Sequence, residues 1–436
     1  MTEIFQIFLQ ILVIFIFCYF PQYYLNFFDL KQQSIIEKIS LGVIINIFIL
    51  LLLSFTNQKN FNLVYIVLII IFCNNLFFFT IENWGFKLFD TKLIFLFIFI
   101  LVFSFDLANN LKLGWDPQNF WFFKTLNFIQ GGDIYNLKNI PRQDYPHLGS
   151  FIWAIYTKIS FLKLEYLGRI FYIFFYCVSI FSVAELLNLD DIKKILFSSI
   201  IIVLTYDVLL FNGHQEVLIF SIFTLFSKYF YLIIKNNISK SIINYYIIII
   251  LLLFLCGTWT KNEAMFFSFT SMLLILCLPK KSTLFRLSIF FSFFFIIALR
   301  FLIFKEIGLD TSTIHANNYE NLSLLNLGSH FRIDRILLIF KYFFFGLVSN
   351  LIYIIAIFVM IFMLYYRKNK TDLFFYFTSL ILNFLLILSI YIFSTTPIEW
   401  TLKVTIERVT FEVLGIYLIP IIIFINVYSK KIFKIQ

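Results

Sequence analysis

The sequence predicts an all-α, polytopic transmembrane helical bundle of about thirteen spans, and three observations predict it. Only 13% of the 436 residues are charged, where an ordinary soluble domain carries roughly 25%. Apolar residues make up 61%, Phe alone contributes 64, and the mean hydropathy is +0.93. The apolar residues also fall into runs near the roughly 20 residues that a helix needs to cross hydrocarbon. A domain in water needs a polar shell, which this composition cannot supply, so the solvent is lipid. That excludes a cytosolic enzyme, a nucleic-acid-binding domain and a disordered linker protein. The net charge of +10 then reads as topology, Lys and Arg gathering in cytoplasmic loops, and not as affinity for nucleic acid.

Cutting the chain at charges, Pro and Asn clusters gives spans over 4–20, 40–55, 61–79 and 93–105. After a polar gap come 168–187, 195–211, 216–234, 242–257, 263–278 and 284–304, and then 346–366, 373–393 and 411–427. Met1-Thr2-Glu3 leads straight into the first apolar run, which reads as a retained span and not a cleaved signal. The cysteines (Cys18, Cys73, Cys177, Cys256, Cys277) lie inside apolar runs without a CxxC pair and read as packing residues.

Loops carrying Lys193/Lys194, Lys235/Lys240, Lys280/Lys281/Arg286 and Arg367/Lys368/Lys370, and the tail Lys430/Lys431/Lys434, are assigned to the cytoplasm by the positive-inside rule. They share a side only if the stretch 147–162, interrupted by Lys158, does not cross. It reads as an amphipathic helix on the outer surface, and so does 333–345 with Asp334, Arg335 and Lys341. The N-terminus is then outside and the C-terminus inside. Five regions follow: a four-span region 1–106, an outer loop 107–167, a central transmembrane core 168–304, a second outer loop 305–345, and C-terminal spans with a tail, 346–436. Long connections of this kind are uncommon unless functional.

Four polar stretches at predicted outer ends could carry chemistry. In Gly114-Trp115-Asp116-Pro117, a carboxylate flanked by aromatics sits where its pKa can rise toward that of a general base; an interfacial aromatic belt with a solvated Asp is the other reading. In Asn212-Gly213-His214-Gln215-Glu216, Glu216 opens a helix, either as an anion stabilised by the helix dipole or as a second carboxylate facing the same vestibule. Lys261-Asn262-Glu263 is either an ion pair at the membrane boundary or a cation for a phosphate. Arg408 precedes the last span by about one turn, on the side where cations are disfavoured. Its partner is Glu399, Glu407 or a lipid phosphate. The histidines His147, His214, His315 and His330 show no helical or HExxH spacing, so no metal ligands are assigned. GxSxG, Walker and dinucleotide motifs are absent from the sequence.

In order and placement these residues resemble the GT-C class of integral-membrane glycosyltransferases, in particular the protein O-mannosyltransferases, the lipid A glycosyltransferases and bacterial glycosyltransferase family 39. Members carry an acidic residue in the first outer loop, similar to Trp115-Asp116, followed by a Tyr-Pro turn into a surface jaw helix, similar to Tyr145-Pro146-His147-Leu148. Gly168-Arg169 resembles the Arg-bearing start of the next span, Gly213-His214-Gln215-Glu216 the Gly-Tyr-Ala-Asp-like turn, and Lys261-Asn262-Glu263-Ala264 the Lys-Asn-Glu-Gly-like turn. Glu399-Trp400 and Arg408 stand where members place an Arg before the last spans. The chain departs in having Glu at 216, His147 for a second Pro, and four spans before Asp116.

The resemblance implies a GT-C-like fold and transfer, with inversion, of a sugar from a polyprenyl-phosphate donor to an extracytoplasmic glycan, lipid or protein acceptor. It implies Asp116 and Glu216 as catalytic, Lys261 and Arg408 as binding the donor phosphate, and Trp115, Tyr145, His147, His214 and Glu263 as binding substrate. A divalent cation is compatible with it but not required. The location implied is the bacterial inner membrane with the site on the extracytoplasmic face. Two rivals remain. A flippase or transporter of lipid-linked sugars would place its polar residues nearer the midplane than these do. A polysaccharide polymerase or ligase would use outer-loop cations such as Arg332, Arg335 and His330.

Overall fold

The computed structural model describes residues 2–28, 33–56, 61–82, 90–235, 240–276, 283–309, 332–366, 370–392 and 398–432. His315, His330, Lys280, Lys281, Arg367, Lys368 and Lys434 lie outside the described residues. In chain order the α-helices are α1 (Thr2–Phe17), α2 (Gln22–Leu25), α3 (Ile35–Ser54), α4 (Phe61–Glu82), α5 (Thr91–Asn109) and α6 (Phe122–Ile129). They continue with α7 (Leu148–Ile159), α8 (Glu165–Ala184), α9 (Asp191–Leu204), α10 (Glu216–Ile234), α11 (Lys240–Thr260) and α12 (Asn262–Leu276). The last are α13 (Thr283–Ile307), α14 (Ile333–Val348), α15 (Leu351–Tyr365), α16 (Lys370–Ile392), α17 (Ile398–Val413) and α18 (Leu418–Ile432).

This is a polytopic, all-helical membrane protein. Among the described residues ten helices are long and apolar enough to cross, or eleven if the bent pair α14–α15 counts as one span. The difference from thirteen lies in three places. Helix α9 has 14 residues and α12 has 15, about 21–23 Å at 1.5 Å per residue, short of the roughly 30 Å of hydrocarbon. The third is the stretch 333–366, where α14 meets α15 at 94°. Neither helix of that pair is long enough alone, at 16 and 15 residues, and Leu337, Phe340 and Phe344 on α14 are exposed.

Burial separates centre from rim. The most apolar stretch of α8 is wholly buried inside the protein and that of α10 is 94% buried, against 17% for α4 and 22% for α13. Helix α10 packs on α8, α11 and α17, so it is the post around which the bundle is arranged. It carries charge at both ends. Far from Glu216, Lys228 pairs with Glu37 of α3 and donates to Ser182 Oγ at 2.6 Å. Pairing is what makes an intramembrane charge tolerable.

The helix expected on the outer surface is instead internal. Every residue of α7 from Leu148 to Thr157 is buried, under α6, α8 and α3. A short apolar run with one Lys looks interfacial in sequence, but here protein replaces lipid on all sides. Its polar side chains close on backbone: Ser150 Oγ donates to Trp121 O at 3.0 Å and Thr157 Oγ1 to Trp153 O at 2.9 Å. Gly149 permits the closest approach. A Cβ there would lie 1.5 Å from Gln215 Oε1, and Gln215 in turn donates to Tyr172 Oη at 3.0 Å. Gly149→Ala is therefore expected to lower stability by about 1–3 kcal/mol. The melting temperature of the detergent-purified variant reads this; an unchanged value would mean that Gln215 moves freely.

The final predicted span also starts earlier than expected. Residues Ile398–Tyr428 form one run of 31 residues that takes in α17 and most of α18. Arg408 therefore lies inside the run, about 15 Å from its start, and not one turn before a span.

Candidate functional site

Two loops set the site's geometry. After α5 the chain passes through Leu113-Gly114-Trp115-Asp116 into a π-helical turn, Pro117–Trp121, that continues as α6. After α9 it passes through Phe211-Asn212-Gly213-His214 into α10, and Gly213 has φ +81°, a conformation costly for other residues. A backbone hydrogen bond joins the loops, Gly114 N–H donating to Asn212 O at 2.9 Å. Arg169 of α8, paired with Glu165 at 2.8 Å, anchors the second loop by donating to Phe211 O. Gly114 is required for this approach: a Cβ there would stand 2.3 Å from His214 Nε2.

These constraints bring Asp116 and Glu216 to a single side chain. Arg408 of α17 forms ion pairs with both carboxylates, and its Nε donates to Glu216 Oε1 at 2.7 Å. Lys261, at the one-residue break between α11 and α12, joins from another direction. Its Nζ lies 3.2 Å from Glu216 Oε1, 3.5 Å from Glu263 and 2.5 Å from Glu412. Burial works against the Lys261 charge, but Glu216, Glu263 and Glu412 outweigh it and hold the ammonium well above its ordinary range. Glu216 and Glu412 are fully buried, whereas Asp116 and Arg408 are each 19% exposed and form the accessible side. Four acids thus surround two cations.

Asp116, Glu216 and Lys261 thus meet at one place in the fold although α8 and α9 separate the first two and α10 and α11 the last two.

The other sequence-selected residues are placed around this centre. His214 Nδ1 lies 3.4 Å from Glu216 Oε2. Glu263 stands in the first turn of α12. Trp115 is 70% exposed beside Asp116, an open aromatic face at the rim. Tyr145 packs on Phe120 and Trp121 under the Arg142 guanidinium, 5.3 Å from its ring. His147 does not join the carboxylates. It is 1% exposed, its Nε2 is 2.8 Å from Ser54 Oγ, and Phe55, Phe128 and Trp259 enclose it. Glu399 and Glu407 are not the partners of Arg408; Glu399 accepts from Tyr342 Oη at 3.4 Å.

Burial, reinforced by Lys124 and Arg300, pushes the His147 imidazole down to about 3. An unfolded His titrates near 6.5, so between about 6.5 and 3 the unfolded chain binds the extra proton. The stability from neutral His147 is complete above pH 6.5 and is lost as pH falls. Between pH 6.5 and 5 the melting temperature of the protein is expected to fall more steeply than that of His147→Gln. Parallel curves would contradict this.

Three residues were missed in sequence. Glu412 lies one turn beyond Arg408, inside the apolar run 411–427, where an intramembrane carboxylate was itself a signal. Arg300 of α13, 3% exposed, donates to Asn262 Oδ1, and it likewise sits inside an apolar run. Lys124, fully buried, donates to Arg142 O at 2.8 Å and Tyr145 O at 2.5 Å, fixing the loop before α7. One group among the described residues could hold a metal ion: Asp116, His214 and Glu216 each offer an atom within 4.8 Å of the others.

Comparison with protein-family models, with curated proteins and with solved structures gave no match.

Proposed function

We propose that this protein is a GT-C-type membrane glycosyltransferase that moves a sugar from a polyprenyl-phosphate donor to an extracytoplasmic glycan, lipid or protein acceptor, with inversion. One observation carries the reading: Asp116, Glu216, Lys261 and Arg408, from four distant stretches, meet in one ion-pair cluster whose Asp116 and Arg408 are partly accessible. Asp116, on the accessible side, takes the proton of the acceptor hydroxyl as that oxygen attacks the anomeric carbon. The bond from that carbon to the phosphate oxygen breaks on the opposite face, and polyprenyl phosphate leaves with the electron pair.

The ion pairs add a coupling. At rest Arg408 is shared by Asp116 and Glu216. Once Asp116 is protonated its hold on the guanidinium weakens, at the moment when charge grows on the departing phosphate. Arg408, with Lys261 beside it, is then free to stabilise that charge. Glu216 keeps both cations in place throughout. Trp115 offers a face for the sugar's C–H surface, and Glu263 pairs with Lys261 beside it while Tyr145 lies within electrostatic reach of both.

The test is to reconstitute the full chain in vesicles with a radiolabelled polyprenyl-phosphate sugar and an envelope extract as acceptor. Label appearing in acceptor supports the proposal. Label that stays on intact donor, or crosses to the other leaflet with it, contradicts the proposal; the second outcome identifies a transporter.

A further inference from the structure

We infer that Asp116, His214 and Glu216 form a binding site for one divalent transition-metal ion, a property that goes beyond sugar transfer and does not depend on it. Donor chemistry is the first argument. Asp116, Glu216, Glu263 and Glu412 cluster with Lys261 and Arg408, and the Arg300 guanidinium also acts on Glu263. Carboxylates, together with imidazole, are the ligands that divalent metals take.

The second argument is the arrangement of unused donors. Glu216 Oε1 receives Arg408 and Lys261. Glu216 Oε2 and His214 Nδ1, both deeply buried, face each other at 3.4 Å, and neither has another hydrogen-bond partner among the described residues. Donors about 2.1 Å from one ion lie roughly 3.0–3.4 Å apart, so this pair already has ligand spacing. Asp116 supplies the third donor within 4.8 Å. The imidazole cannot easily turn away, because its Nε2 edge is packed on Gly114. One imidazole with two carboxylates suits Zn²⁺ or Mn²⁺ better than Ca²⁺, which prefers oxygen alone.

The pattern is invisible to motif reading because His214 and Glu216 are two residues apart while Asp116 comes from another loop.

The experiment uses the full chain purified in detergent and stripped with EDTA, titrated with MnCl₂ and separately with ZnCl₂ by calorimetry. The expected result is one ion per chain for at least one metal, with a rise in melting temperature on binding. His214→Ala should weaken binding tenfold or more, roughly the loss that ligand-shell changes cause. Asp334→Asn, on an exposed surface far along the chain, should bind as the parent does. Melting curves of the stripped variants verify folding, and His214→Gln replaces His214→Ala if the latter does not fold. Absence of saturable binding by the stripped parent, or unchanged affinity in both His214 variants, would overturn the site. Neither readout involves sugar, so its failure leaves the transfer reading standing, and the converse also holds.

Discussion

Asp116→Asn is expected to abolish sugar transfer in a protein that still folds. The amide is nearly the same shape and can still accept a hydrogen bond from Arg408, but it cannot take the acceptor's proton. Loss of a general base usually costs about 10²- to 10⁴-fold in rate. Here the loss falls at the high end, because the same change removes the event that releases Arg408 toward the phosphate. Donor binding should be nearly unaffected, since Asp116 does not touch the donor before reaction in this account. Initial rates with radiolabelled donor, beside the melting temperature, separate the two. A variant that folds and transfers at the parent's rate would remove Asp116 from its role.

Arg408→Ala is expected to have the largest effect on stability. Arg408 is the shared partner of Asp116 and Glu216, and Glu216 is fully buried. Removing one partner of a buried pair costs about 3–5 kcal/mol, most of it from the charge left behind. Arg408→Lys should recover only part, because an ammonium cannot reproduce the guanidinium's simultaneous contacts with two acids. Thermal unfolding in detergent measures both. If Arg408→Ala melts with the parent, the carboxylates are satisfied by other means.

The centre of the site was legible because charge is rare in this sequence. With 13% charged residues, each Asp, Glu, Lys or Arg near an apolar run demands an explanation, and Asp116, Glu216, Lys261 and Arg408 stand out on that ground. Glu412 and Arg300 are hidden in the sequence because the length and mean character of an apolar run absorb a single charge. The partner of Arg408 could not be read, since the choice among Glu399, Glu407, Asp116 and Glu216 is made by tertiary packing. The misplacement of α7 has a related cause. Apolar residues specify burial, not whether lipid or protein does the burying, so Leu148–Thr157 looked interfacial. The length of an apolar run likewise overstates the length of its helix: 195–211 is apolar almost throughout, yet α9 ends at Leu204 and the chain turns through Tyr206-Asp207 toward His214.

A double-mutant cycle between Asp116→Asn and Arg408→Gln, read by thermal unfolding of the full chain, addresses the convergence itself. Side chains 292 positions apart in sequence yet in contact should be coupled, the double variant departing from the sum of the singles by about 1–3 kcal/mol. Additivity within about 0.5 kcal/mol would place the two far apart, and the shared ion-pair cluster would not exist.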